Sequence, residues 1–330
     1  MDRRSEKGYT GSNLSNAGTK ATRMYRVTPD TDDALVIAIS SRALFELERE
    51  NRIFESEGLD VYADFQRDNE SNILEPGPAF PLVEAFLKLN DRVGEHLVEV
   101  VIMSQNNPQT SMRVMNSIDY YKLEISRAAF SGGQPLGPFL SAYNVDLLLS
   151  KNPQDVQDAT DRSLAAALLY PPPKNFNPDS DEIRIAFDGD AVLFSDEAEV
   201  IHRQQGLDAF LEHEKIFAKQ PLPEGPFGRV LKTLSRIKNQ PKGDIIRIAL
   251  ITARDRFTHE RVIITLRSWG VNVDEAYFLG GLPKKEVLKA FNAHIFFDDQ
   301  DRHAGPASEI VPSARVPYRR DSKLHEENAD

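Results

Sequence analysis

IRIAFDGDAVLFSDE occupies residues 183–197. Its first five residues form a β-rich, largely apolar run of strand length, the kind that sits in a parallel sheet buried on both faces. Asp188 and Asp190 follow at once, in a D-x-D pattern around Gly189. Similar runs occur at ALVIAI (34–39), VEVVIM (98–103), VDLLL (145–149), IIRIALI (245–251) and AHIFF (293–297). Segments with helical spacing lie between them: PAFPLVEAFLKLN (78–90), SMRVMNSI (111–118), GPFGRVLKTLSRIK (225–238) and ERVIITLRSWG (260–270). Strands alternating with helices predict an α/β fold around a parallel sheet.

The pattern is written twice. Ser104 in VIMSQN matches Thr252 in LITARD at an offset of 252 − 104 = 148 residues. The same offset relates Ile37-Ala38 to Ile185-Ala186, Gly58-Leu59-Asp60 to Gly206-Leu207-Asp208, and Gly77-Pro78 to Gly225-Pro226. It also relates Arg113 to Arg261 and Gly132-Gly133 to Gly280-Gly281. The differences carry the chemistry: Asp188 faces Ser40, Asp190 faces Arg42, Lys284 faces Leu136, Asp298 faces Ser150 and Asp299 faces Lys151. The expected organisation is a degenerate half over 34–160 and a catalytic half over 183–318. A linker over 161–182 joins them, centred on the proline-rich YPPPKNFNPDSDE (170–182). Residues 1–33 and 319–330 are expected to be disordered tails.

A chain of 330 residues fits two domains of about 150 residues each. The net charge of −11 argues against nucleic acid or an anionic membrane as the main partner, because both need a basic face. Cysteine is absent, which excludes disulfides and thiolate metal sites. No apolar run reaches the roughly 18 residues of a membrane span, and the polar start has no signal-peptide core. A cytoplasmic protein is the expectation.

The candidate chemistry comes in four pieces, each at a strand end. The D-x-D places two carboxylates at the carboxyl edge of a parallel sheet, where open α/β folds bind ligands. Thr252 offers a hydroxyl to a phosphoryl oxygen, and Lys284, after the glycine turn of FLGGLPKKEVL, offers an ammonium. Asp298 and Asp299 in IFFDDQ complete an oxygen-rich set suited to Mg²⁺. Taken singly, each has a structural alternative: an Asp-Gly turn, a Thr N-cap, a solvated lysine. Their common order makes a more specific signal than any one of them.

That order resembles the haloacid dehalogenase superfamily of aspartate-nucleophile phosphatases. Longer strings are similar to the type I cytosolic 5′-nucleotidases: ALVIAISSRALF, FDGDAVLFSDE, HEK followed by PLPEGP, LITAR, LRSWG with DEAYFLGG, and HIFFDDQ. The likeness runs from about residue 34 to Tyr318. It implies a duplicated, Rossmann-like parallel sheet of the haloacid dehalogenase type, with a small cap segment at 195–226 in the catalytic half. It also implies Mg²⁺-dependent hydrolysis of nucleoside 5′-monophosphates, typically AMP, by a homo-oligomer. Asp188 would attack phosphorus and Asp190 would serve as acid and base. Thr252 and Lys284 would hold the phosphoryl oxygens, and Asp188, the carbonyl of Asp190 and Asp298 would hold the metal. Asp299 would orient that shell.

Nucleotide choice must come from elsewhere. Phe210, His213 and Lys215 in the cap are candidates for the base, and Arg254 and Arg261 for phosphate or ribose; the alternative is a cap helix packing its aromatics and arginines pairing with surplus carboxylates. The degenerate half is a structural partner or, on a sharper reading, the holder of a regulatory nucleotide near Ser104 and Arg113. Rival functions are a related phosphatase or phosphotransferase on another small phosphate ester, and a non-catalytic nucleotide-binding regulator. The retention of Asp188, Asp190 and Lys284 speaks against the latter.

Overall fold

The computed structural model describes residues 34–174, 176–178 and 181–325. The expected N-terminal tail and residues 326–330 lie outside them. Ten strands form one sheet: β1 (Leu35–Ile39), β2 (Val98–Ser104), β3 (Arg127–Phe130), β4 (Leu147–Ser150), β5 (Ala165–Leu169), β6 (Ile183–Phe187), β7 (Ile246–Thr252), β8 (Glu275–Phe278), β9 (Ile295–Asp298) and β10 (Ser313–Arg315). Their order is β3-β2-β1-β4-β5-β10-β9-β6-β7-β8. Every neighbouring pair is parallel except β5 and β10.

Each half thus repeats one order about the β5–β10 junction, and the limits of β1 to β4 reappear in β6 to β9 at the sequence offset (183 − 35 = 148). Because the junction is antiparallel, the strands of the two halves run in opposite directions. Their carboxyl ends open on opposite rims of the sheet.

Four strands escape the apolar-run reading. β3 (RAAF) and β8 (EAYF) are half-buried edge strands whose polar residues interrupt any apolar run. β10 has only three residues. β5 lies inside the expected linker, which is a correction: the segment AAALL is mostly buried, and the compositional break begins only at Tyr170.

One face of the sheet carries a core common to both halves. The helix Phe80–Val93 of the first half reaches β6, and the helix Gly228–Lys238 of the second reaches β1. Phe187, Phe227 and Phe297 meet there with ring centroids 4.7–6.3 Å apart. Each ring so buried contributes roughly 1.5–3 kcal/mol. The opposite face has a separate cluster for each half.

The expected cap contains the helices Glu197–Gln205 and Leu207–Ile216, joined at Gly206 (φ 87°, ψ 177°), a conformation open essentially to glycine alone. The first half has the same device, with helices Glu48–Glu57 and Leu59–Asp68 joined at Gly58 (φ 85°, ψ −178°). The repeated Gly-Leu-Asp is therefore the corner of a helical hairpin in both halves.

The expected disorder after Tyr318 also needs correction for residues 319–325. Arg319 donates to Ser163 Oγ (2.7 Å), Arg320 pairs with Asp161 (2.6 Å), and Ser322 donates to Asp196. Leu324 is buried beside Ala191, Tyr318 and Val200. A polar segment gains order here because its charges meet partners from both halves.

Candidate active site

β6, β7 and β9 are neighbours in the sheet, so Asp188, Thr252 and Asp298 arrive at one rim although the chain separates them widely. Asp188 follows β6 directly, and its Oδ1 accepts from the Gly189 amide at 2.7 Å. The backbone then turns at Ala191, in the left-handed region (φ 59°), just after Asp190. Thr252 ends β7, fully buried, and its Oγ1 accepts from the Arg254 amide at 3.2 Å.

Lys284 precedes the helix Lys285–Phe291 and reaches the same floor. Its Nζ lies 2.8 Å from Asp188 Oδ1 and 2.7 Å from Asp298 Oδ2. Asp298 Oδ1 accepts from the Gln300 amide at 2.9 Å, and His303 Nδ1 stands 3.5 Å from its other oxygen. Asp299 Oδ2 accepts from the Tyr318 hydroxyl, whose oxygen in turn accepts from Arg203 at 3.2 Å. Asp299 Oδ1 is buried with no hydrogen-bond partner. One oxygen from each of Asp188, Asp298 and Asp299 falls within a common 4.8 Å.

Burial pushes the Asp188 carboxyl up to about 6; Lys284 opposes the shift, and the charges of Asp298 and Asp190 add to it. Burial would raise Asp298 as well, but Lys284 and His303 outweigh it and hold that carboxyl below the usual range. Burial, with Asp298 and Asp188 alongside, drives Asp299 well above it. Lys284 is itself raised, because two carboxylates overcome its desolvation. Asp188, Asp298 and Asp299 thus have one lysine among them, Lys284, bonded to the first two, and the deficit suits a divalent cation.

Arg254 grips Asp190 with two bonds, Nε to Oδ2 at 2.8 Å and Nη2 to Oδ1 at 2.7 Å. Its remaining nitrogen bonds Glu214, which also accepts from Arg261 at 2.7 Å. Both arginines are therefore spent on carboxylates, the alternative left open by sequence. A cavity of about 740 Å³ opens above the floor, with Asp190, His202, Phe210, Arg254, Lys284 and His303 among its walls. Of the expected substrate contacts, Phe210 and Arg254 line it. Arg261, His213 and Lys215 do not. Arg261 is buried behind Glu214, His213 packs on Phe217 at 4.6 Å, and Lys215 is exposed.

His202, Arg302 and His303 line the cavity without having been singled out by sequence. His202 meets Phe210 edge to face at 5.8 Å. A signal for that pair exists: the 148-residue offset places Phe54 and Tyr62 opposite them, so ring character is kept where residue identity is not.

A family model described as 5′-nucleotidase matches residues 27–323. Human cytosolic 5′-nucleotidase 1B is 38% identical over 296 residues, which covers 86% of this chain and 48% of the relative. The chain spans about half the length of that curated relative.

Proposed function

Because the chain belongs to the 5′-nucleotidase family, we propose that it hydrolyses nucleoside 5′-monophosphates, AMP foremost, to nucleoside and phosphate on a duplicated, Rossmann-like scaffold of the haloacid dehalogenase type. The observation that carries this reading is the buried floor: Asp188 and Asp298 share Lys284 at the base of a cavity walled by His202 and Phe210. The same reading places the protein in the cytoplasm. Among the described residues no helix is long and apolar enough to cross a membrane.

The residues present fit a hard divalent cation. All donors are oxygens, and Asp299 Oδ1 is buried and unclaimed. Mg²⁺ would be held by Asp188, the Asp190 carbonyl and Asp298, with Asp299 completing or orienting the set. When bound, it supplies positive charge beside the phosphoryl oxygens.

Asp188 attacks phosphorus in line, a bond forms from its carboxylate oxygen, and the bond from phosphorus to the 5′-oxygen breaks. Asp190 delivers a proton to the departing oxygen. It then takes one from the water that attacks the aspartyl-phosphate, releasing phosphate and restoring Asp188. Arg254 holds the Asp190 carboxyl group in place through two bonds. Thr252 and Lys284 hold the transferring oxygens, where fixed donors act most strongly. His202 and Phe210 supply ring surface for the base.

The test is phosphate release from 5′- and 3′-monophosphates and sugar phosphates. The expected result is turnover of 5′-monophosphates with Mg²⁺, and a loss of roughly a thousandfold or more in Asp188→Asn. Equal turnover of 3′-monophosphates, or an active Asp188→Asn enzyme, overturns the reading.

A further inference from the structure

The first half keeps a pocket of its own. It encloses about 270 Å³ at the carboxyl ends of β1, β2 and β4, near the low end of the roughly 300–1,000 Å³ of small-molecule sites. Antiparallel joining places it on the rim opposite the active site. Its roof repeats the active-site roof: Phe54 and Tyr62 on the first helical hairpin meet at 5.7 Å and 75°, as His202 and Phe210 meet at 5.8 Å and 67°. Tyr62 is further fixed by its bond to Asn106 Oδ1 (3.2 Å) and by Gln66 (3.0 Å).

The floor is rebuilt without the acids of the second half. Ser40 and Ser150 stand where the second half has Asp188 and Asp298, and Arg42 and Lys151 stand where it has Asp190 and Asp299. Both cations lean on a single carboxylate, Glu48, at 3.1 and 2.5 Å. Arg42 Nε is buried and makes no hydrogen bond. The other acids on the walls already have partners: Glu50 pairs with Arg113 at 2.6 Å, and Asp155 accepts from Gln105 at 2.6 Å. Ser41 and Ser104 face each other at 3.1 Å beside the cations. Serines thus stand at two of the carboxylate positions that would hold the metal in the second half.

We propose that the first-half pocket binds a nucleoside phosphate without a metal ion and without hydrolysing it. The rings of Phe54 and Tyr62 take the base, and Arg42 and the serine hydroxyls take the phosphate, while Lys151 draws on Glu48, the carboxylate that Arg42 would release. Hydrolysis is excluded because Ser40 replaces the nucleophile and Leu136 replaces the lysine. Arg113, an expected contact, is half-buried, bonded to Glu50 and to the Asn72 carbonyl, and supports the wall from behind. The ligand class rests on the proposed function, and the test separates the two.

AMP binding to full-length Asp188→Asn protein, whose substituted amide keeps one ligand oxygen, is measured by equilibrium dialysis, with EDTA and with Mg²⁺ at a concentration raised to offset the weaker ligand. The expected result is one AMP per chain in EDTA and two with Mg²⁺. Arg42→Gln or Phe54→Ala, added singly, weakens the EDTA site by about tenfold or more and leaves the Mg²⁺-dependent site as a check on folding. Adenosine or inorganic phosphate alone fails to displace AMP at matched concentration. No binding in EDTA, with one site in Mg²⁺, overturns the inference and leaves the enzyme reading intact. Full displacement by inorganic phosphate overturns the ligand class. Absence of binding in both buffers counts against both readings.

Discussion

Asp299 shows how much one carboxyl depends on a residue that is remote in sequence. Its Oδ2 is held by Tyr318, and its Oδ1 is left over inside the protein. A buried acceptor without a partner costs roughly 1–3 kcal/mol, so its retention at the acidic floor is best explained by a cation it would serve. Tyr318→Phe removes the fixed donor and frees the carboxyl to turn. We expect affinity for Mg²⁺, measured by titration calorimetry, to fall about 10–100-fold, as for other residues that orient metal ligands. Unchanged affinity would mean that Tyr318 only fills space. Asp188, Asp190, Lys284 and Asp298 were legible as candidates because each is an acid or lysine present in one copy of a repeat and absent from the other. Tyr318, His202 and His303 were not, since a ring or an imidazole has no such contrast with its surroundings in the chain.

Elements were legible in proportion to their burial. β1, β2, β6 and β7 are near-continuous apolar runs because both faces of the sheet are covered around them, whereas β3 and β8 lie at the edges, where polar residues are tolerated. The cap hairpin gives an element-scale prediction. A Cβ at Gly206 would meet no atom within 4 Å, so any penalty in Gly206→Ala comes from the backbone alone. At φ 87° that penalty should be about 1–3 kcal/mol, seen as a lower denaturation midpoint. Because the hairpin carries Phe210 over the cavity, KM for AMP should rise more than kcat falls. An unchanged midpoint and KM would show that the corner relaxes without moving the cap. Gly225 differs in kind: a Cβ there would stand 2.1 Å from the Phe194 carbonyl oxygen, so close approach explains its place in both copies of the repeat, Gly77 meeting the same crowding from Ala43 and Phe45.

At the scale of the molecule, the halves are not separable bodies. They share one core on one face, exchange helix contacts with each other's first strand, and close their sheets through β5 and β10. Residues 183–325 expressed alone should therefore lack a cooperative unfolding transition and expose apolar surface to a hydrophobic dye; a sharp transition at the full-length midpoint would contradict the shared core. This sharing also assigns the first half a structural role whatever it binds. The sequence by itself determined the repeat, the positions of β1, β2, β4, β6, β7 and β9, and the set of candidate reactive side chains, because period, apolar runs and charge contrasts are local or recur at a constant spacing. Only the tertiary structure decided that the halves join antiparallel and open on opposite rims. It also decided that Arg254 and Arg261 are held by Asp190 and Glu214, that Tyr318 braces the acidic floor, and that the segment after it is held by Asp161, Ser163 and Asp196. Those outcomes depend on which side chains meet in space, and pairings across the fold, such as Tyr318 with Asp299 or Arg254 with Asp190, have no period from which they can be read.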